Sequence, residues 1–319
     1  MKPIKNTLYT LFFLLAIVLI ACDKEDDVTD NNKTYTMEKE ELNIAYGNDA
    51  LQKMDIYIPE GFNEQTPVVF YIHGGGFVAG TKEEATAQAR LFMERGFVTV
   101  NLSHRLVDAS GLDLTPPVHK TSPVKVNDQV ADIDAAVKKY QAMSSSWGSG
   151  SAKIYMAGHS AGGTLAMLYV QGDKNKNRLV RASGNLAGLT NVTLPEELYD
   201  NPPTSEPLWP ALKELLYRMS GAEVTKENAL ALMAISADWV SVNQGGRPNI
   251  TVMPTSNDDD LHLAPYKNTV ADAKDYDKQL RSKGVASSYV PMETDHGFGN
   301  HPDDWRLAVK YVTDFFRKN

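Results

Sequence analysis

Short apolar runs separated by helix-like stretches constrain this 319-residue chain most. Val68 to Ile72 is apolar throughout, and "FVTVNL", Phe97 to Leu102, nearly so. Side chains on a strand alternate between its two faces, so an unbroken apolar run predicts a strand covered on both sides. Six further strands are predicted: Thr36 to Tyr46, Met54 to Ile58, Lys153 to Ala157, Arg181 to Leu186, Ile250 to Met253 and Val285 to Pro291. Helical spacing is read in Glu83 to Arg95, Val126 to Met143, Thr164 to Val170, Ala271 to Lys283 and Trp305 to Arg317. Glycines at 96 and 284 suit two of the helix ends. Strands and helices alternating in this way predict an α/β fold with a mostly parallel sheet and helices on both faces.

One interval breaks the rhythm. Between residues 188 and 248 no strand is predicted. The segment holds Pro195, Pro202, Pro203, Pro207 and Pro210, and helices are read over Leu208 to Met219 and Lys226 to Ala234. An insertion of this size is expected to act as a helical lid, the alternative being a surface decoration.

The N-terminus is expected to lie outside the fold. A basic start, Met1 to Lys5, precedes an apolar core from Leu8 to Ile20 that is short and wrongly flanked for a spanning helix. Residues 1–21 therefore read as a signal peptide. The chain's sole cysteine, Cys22, ends "LIAC", which resembles a bacterial lipobox; a plain secretory signal is the alternative. Lipidation of Cys22 would anchor the protein to a membrane, giving an outer-membrane or cell-surface location. Residues 22–34 are polar and acidic and read as a disordered tether, or as a surface-export signal. That leaves 35–319 as one catalytic domain. The formal net charge of −8 argues against nucleic-acid binding.

Two glycine motifs carry the chemistry. Gly158-His159-Ser160-Ala161-Gly162 is the only Gly-x-Ser-x-Gly in the chain, and it sits between a predicted strand and a predicted helix. A tight strand-to-helix turn would hold Ser160 in a strained conformation and present its hydroxyl above the sheet. Such a hydroxyl needs a base. Of seven histidines, His296 lies between the last strand and the last helix, at the same end of the sheet as the serine. His73 and His159 are expected to serve the turns, His104 and His119 precede the serine, and His262 and His301 read as loop residues. The histidine needs an acid. "PTSNDDD" after the seventh strand supplies Asp258, with Asp259 and Asp260 as competitors. The three acids lack the spacing of a calcium loop. The second motif, His73-Gly74-Gly75-Gly76-Phe77, follows a buried strand. Its bare backbone predicts an oxyanion hole from the N–H groups of Gly75 and Gly76, joined by that of Ala161. No nucleotide-binding glycine pattern is present.

"HGGGF" and "GHSAGG" together resemble the α/β-hydrolase esterases related to hormone-sensitive lipase and the bacterial carboxylesterases. "VNLSHRL" is similar to that family's "NYRL" strand end, with His104 where tyrosine is usual, and "NDQVADIDAAVKKY" to the helix before its serine turn. Many relatives have His-Gly before the acid, where this chain has "PTSNDDD". The resemblance implies an α/β-hydrolase fold and a serine esterase needing no metal or organic cofactor. It implies short-chain acyl esters as substrates, including acetyl or feruloyl groups on plant polysaccharide, on a small molecule or an oligosaccharide. A serine peptidase and a non-catalytic glycan-binding lipoprotein are the alternatives.

Overall fold

The computed structural model describes residues 38–144, 153–255 and 269–319. All lie within one of the chain's two compact units, Asn32–Asn319. The signal peptide, Cys22, the tether, Asp258, Asp259, Asp260 and His262 lie outside the described residues, as does most of the Ser/Gly loop before the serine strand.

Eight strands form one sheet: β1 (Lys39–Ala45), β2 (Lys53–Ile58), β3 (Val68–Ile72), β4 (Val98–Leu102), β5 (Ile154–His159), β6 (Val180–Leu186), β7 (Asn249–Pro254) and β8 (Ser287–Met292). Their order is β1-β2-β4-β3-β5-β6-β7-β8. The β1–β2 and β2–β4 pairs are antiparallel, and every other pair is parallel. All eight predicted strands are therefore present.

Strand periodicity divides the interior into two cores. Val68, Phe70 and Ile72 of β3 and Ile154 and Met156 of β5 face one cluster. Val69, Tyr71, Tyr155 and Ala157 face the other. The first is closed by α2 (Val126–Ser144) and α3 (Ala161–Gln171), which contribute Ile133, Val137, Tyr140, Leu165 and Tyr169. The second is closed by α1 (Thr86–Glu94) and α9 (Asp304–Lys318), through Phe92, Val309, Val312 and Phe316. This double cover is why the central strands read as unbroken apolar runs.

Between β6 and β7 the chain forms α4 (Glu196–Asp200), α5 (Trp209–Ser220), α6 (Ala229–Met233) and α7 (Ala237–Gln244). The sequence predicted α5 and a longer α6, but not α4 or α7. This interval is not a free-standing flap. Val192, Leu194, Trp209, Leu216, Met219, Leu232 and Ile235 are buried in the first core. Ala237 of α7 packs with Met167 of α3 and with Tyr276 and Leu280 of α8 (Thr269–Ser282). The 237–244 part of the predicted insertion thus belongs to the helical layer. Among the described residues, no helix is long and apolar enough to cross a membrane.

Candidate active site

Ser160 is the single residue between β5 and α3. Its backbone has φ 52° and ψ −124°, a region that L-residues rarely occupy. The surroundings enforce this geometry. A Cβ on Gly158 would lie 2.3 Å from the carbonyl oxygen of Gly162, and one on Gly162 would lie 2.2 Å from that of Ile72. Close approach of β3, β5 and α3 therefore excludes side chains on either side of the serine. The Ser160 N–H donates to Leu186 O at 2.8 Å, and its carbonyl accepts from Gly163 and Thr164. Ser160 itself is buried.

His296 lies in the loop between β8 and α9, and its Nε2 is 2.9 Å from Ser160 Oγ. Two groups fix that loop. Asp304 accepts from the Thr294 hydroxyl and, at 3.0 Å, from the His301 N–H. His159 Nε2 donates to the His296 carbonyl at 2.8 Å. His159 was expected to serve its own turn; it holds the segment carrying His296 instead. Burial holds the His296 imidazole below its ordinary pKa, while neighbouring Asp295 pushes the other way. A neutral ring beside the hydroxyl can accept its proton. In that tautomer Nδ1 carries a hydrogen, and Nδ1 is buried with no partner among the described residues. This is the position where a triad acid would act, and the three sequence candidates begin three residues beyond Thr255, the last described residue of the segment after β7. Thr255 is hydrogen-bonded to Met292 at the end of β8, four residues before His296.

The glycine loop after β3 is as constrained as the serine turn. Gly75 has φ +116°, and a Cβ there would lie 2.1 Å from Ala79 O. Its carbonyl accepts from Val78 and Ala79, whereas the N–H groups of Gly75 and Gly76 donate to no main-chain carbonyl among the described residues. Ala161 opens α3, so its N–H has no acceptor within the helix. His73 Nδ1 donates to Gly74 O at 2.7 Å. That carbonyl and the Gly75 N–H belong to one planar trans peptide, so holding the oxygen also aims the N–H. The His73 ring stacks on His104, with centroids 4.4 Å apart and planes 9° from parallel. His104 Nδ1 in turn donates to Arg105 O at 2.9 Å. Burial lowers the pKa of both rings, that of His104 to about 3, and the neighbouring His73 lowers it further.

Similarity to known proteins agrees with this geometry. Residues 54–194 match the BD-FAE family model, a stretch that includes both glycine motifs. Over 89% of the chain the fold superposes on esterase B from Lactobacillus rhamnosis, with a TM-score of 0.62, 16% identity and 87% of that chain covered. A truncated carbohydrate esterase from gut microbiota gives a TM-score of 0.63 at 16% identity, over 89% of this chain and 98% of its own. The chain has the α/β-hydrolase fold.

The curated relatives match a shorter stretch of this chain. Kynurenine formamidase from Salmo salar is 29% identical over 132 residues, 41% of this chain and 39% of the relative. A probable isoprenylcysteine alpha-carbonyl methylesterase from Oryza sativa subsp. japonica is 24% identical over 123 residues, 39% of this chain and 26% of the relative. The chain thus spans less than two fifths of the length of the curated relatives it matches.

The residues that brace the glycine loop were not singled out as site residues by the sequence. Gln129, fully buried on α2, donates to Phe77 O at 2.8 Å and to Arg105 O at 2.9 Å. Asp132, on the same helix, is buried and receives the Arg105 guanidinium and main-chain N–H. The only signal for these residues was the resemblance of "NDQVADIDAAVKKY" and "VNLSHRL" to family segments.

Proposed function

We propose that the protein is a serine carboxylic-ester hydrolase of short-chain acyl esters. The observation that carries this reading is the 2.9 Å contact between Ser160 Oγ and His296 Nε2. Ser160 attacks the acyl carbonyl while His296 takes its proton. The tetrahedral oxyanion is received by the N–H groups of Gly75, Gly76 and Ala161, each such donor being worth about 2.7–4 kcal/mol of barrier. His296 then protonates the departing alcohol, and water hydrolyses the acyl-enzyme by the same route in reverse. Asp258, or its neighbours Asp259 and Asp260, supplies the carboxylate for His296 Nδ1. No metal or organic cofactor takes part in these steps.

The preferred substrates are acetyl or feruloyl esters on plant polysaccharide. Support comes from carbohydrate esterases among the structural relatives, one of them a bifunctional GH43-CE protein of Bacteroides eggerthii. Lipidation of Cys22 places the enzyme at the outer membrane or cell surface. The match to a formamidase favours a second reading, in which the acyl group leaves an amide nitrogen.

Hydrolysis of p-nitrophenyl acetate, acetylated xylan, feruloylated xylo-oligosaccharides and a formanilide separates these readings. Ser160→Ala and His296→Ala should each lower kcat by roughly 10⁴- to 10⁶-fold. One of Asp258→Asn, Asp259→Asn and Asp260→Asn should lower it by about 10⁴-fold. Turnover that survives Ser160→Ala removes the reading, and preference for the formanilide moves it to amides. Loss of lipid label in Cys22→Ser tests the anchor.

A further inference from the structure

His159, the residue before the nucleophile, touches all three segments of the site. A peptide bond joins it to Ser160. A Cβ on Gly74 would lie 3.1 Å from His159 Nδ1 and 3.2 Å from its carbonyl oxygen, so His159 rests against the glycine loop. On the other side its Nε2 lies 2.8 Å from the His296 carbonyl. A carbonyl only accepts, so Nε2 carries the hydrogen. Burial lowers the His159 pKa to about 4, so near pH 7 the ring is neutral and Nε2–H is its one N–H.

Among the described residues, that bond is the only one on the main chain of His296. The N–H of Phe298 donates to Asp295 O and that of Thr294 to Met292 O. These bonds close turns on either side and leave the carbonyl of residue 296 to His159. The His296 ring has one polar contact among the described residues, Ser160 Oγ at 2.9 Å. The His159 ring is itself caged. Trp305, at the start of α9, meets it edge-on with centroids 5.2 Å apart, and Phe298 does so at 6.0 Å. Those two rings lie 5.0 Å from each other, and the His296 ring is 5.1 Å from His159. A donor on a caged ring can set a distance, which a mobile water in its place could not.

Proton transfer from Ser160 needs an approach of about 2.6–3.2 Å, and a misplacement of about 1 Å costs about 10²-fold in rate. We propose that His159 is the positioning residue of the base: its Nε2–H fixes the main chain of His296 and thereby the separation of His296 from Ser160. This rests on the pairing of Ser160 with His296 as nucleophile and base under the proposed function, and not on which acyl group is cleaved.

Three variants separate the donor from the ring. His159→Phe keeps a ring without a donor. His159→Gln extends an amide N–H to the reach of Nε2, whereas the amide of His159→Asn stops at the reach of Nδ1. On p-nitrophenyl acetate, kcat should fall about 10²-fold in His159→Phe and His159→Asn and stay within about fivefold of wild type in His159→Gln, with KM changed less than about threefold throughout. Labelling of Ser160 by diisopropyl fluorophosphate, which needs the nucleophile and base but no ester substrate, should follow the same order. If His159→Phe does not fold, the comparison of His159→Gln with His159→Asn decides. Equal kcat and equal labelling in those two, or a rise in KM at constant kcat, overturns the proposal. Labelling in the expected order without ester turnover would keep the positioning role and discard ester hydrolysis. A wild type that is neither labelled nor active removes both.

Discussion

Lowering the pH from 7.5 to 5.0 protonates histidines in the unfolded chain but leaves two of them neutral in the native protein. Burial lowers the pKa of His104 to about 3, with stacked His73 adding to the shift. Burial lowers that of His159 to about 4; the His296 carbonyl and Asp295 oppose the shift, and the His296 ring adds to it. The ordinary value is 6.5. Above it neither state carries a proton on these rings, and their contribution to stability is level. Below it the unfolded chain takes up one proton per ring and the native protein takes up none, so stability falls as pH falls. The fall ends only at the folded pKa values. Each ring contributes about 1.4 kcal/mol per pH unit, hence about 2 kcal/mol between pH 6.5 and 5.0 and about 4 kcal/mol for the two. His73 and His296, also lowered, act in the same direction. Against a typical total stability of about 5–15 kcal/mol, this is a large fraction.

Urea unfolding at 25 °C across this pH range measures the effect directly. The unfolding free energy should drop by about 4 kcal/mol or more between pH 7.5 and 5.0. His104→Gln removes one of the two rings. Its stability at pH 7.5 will be lower because the stack is gone, but its drop should be smaller than that of wild type by about 2 kcal/mol. The comparison of slopes is independent of that starting value. A flat wild-type profile, or an equal drop in His104→Gln, refutes the reasoning.

Two further substitutions test the supports around the site. Gln129→Leu removes two hydrogen bonds, but Phe77 O keeps the Val107 N–H and Arg105 O keeps His104 Nδ1. Stability should therefore fall by only about 1 kcal/mol, while kcat on p-nitrophenyl acetate falls further than that figure implies and KM changes little. Arg218, fully buried on α5, bonds Glu214 and the carbonyls of Asp108, Ser110 and Val118. Arg218→Ala should cost about 3–5 kcal/mol in urea unfolding and speed proteolytic cleavage between residues 108 and 120.

The strands were legible because nearly every position of β3, β4 and β5 is buried, so the apolar signal needs no knowledge of what covers them. Ser160 and the glycines were legible as short fixed motifs, although the atoms that exclude a Cβ at Gly162, the carbonyl oxygens of Ile72 and His73, lie far off in sequence. Helix α7 was not. It buries only Ala237, Val240 and Ser241, and that face is too small to produce a period. Arg218 reads as an ordinary surface arginine until α5 is laid over the 108–118 loop. Polar side chains buried by tertiary contacts leave no pattern in the sequence, because their partners lie many residues away.

The same division explains how the glycine loop is held. Its glycines permit the backbone path, but they cannot fix it, since a glycine-rich segment is the most flexible kind. Position comes from polar groups outside the run. His73 holds Gly74 O, and Gln129 holds Phe77 O. At the far end buried Lys82 pairs with Asp55 at 2.9 Å and with Asn43 at 3.0 Å, while its main chain is held by Ser103 and Asn101. A buried lysine–aspartate pair adds little net stability, but removing one partner is costly, which makes it a strict positional lock. Anchors at the two ends and the middle leave the Gly75 and Gly76 N–H groups aimed before any substrate arrives. Under the proposed esterase reading, donors fixed in this way would need no reorganisation when an oxyanion forms, and such preorganisation is the main source of electrostatic catalysis in acyl transfer.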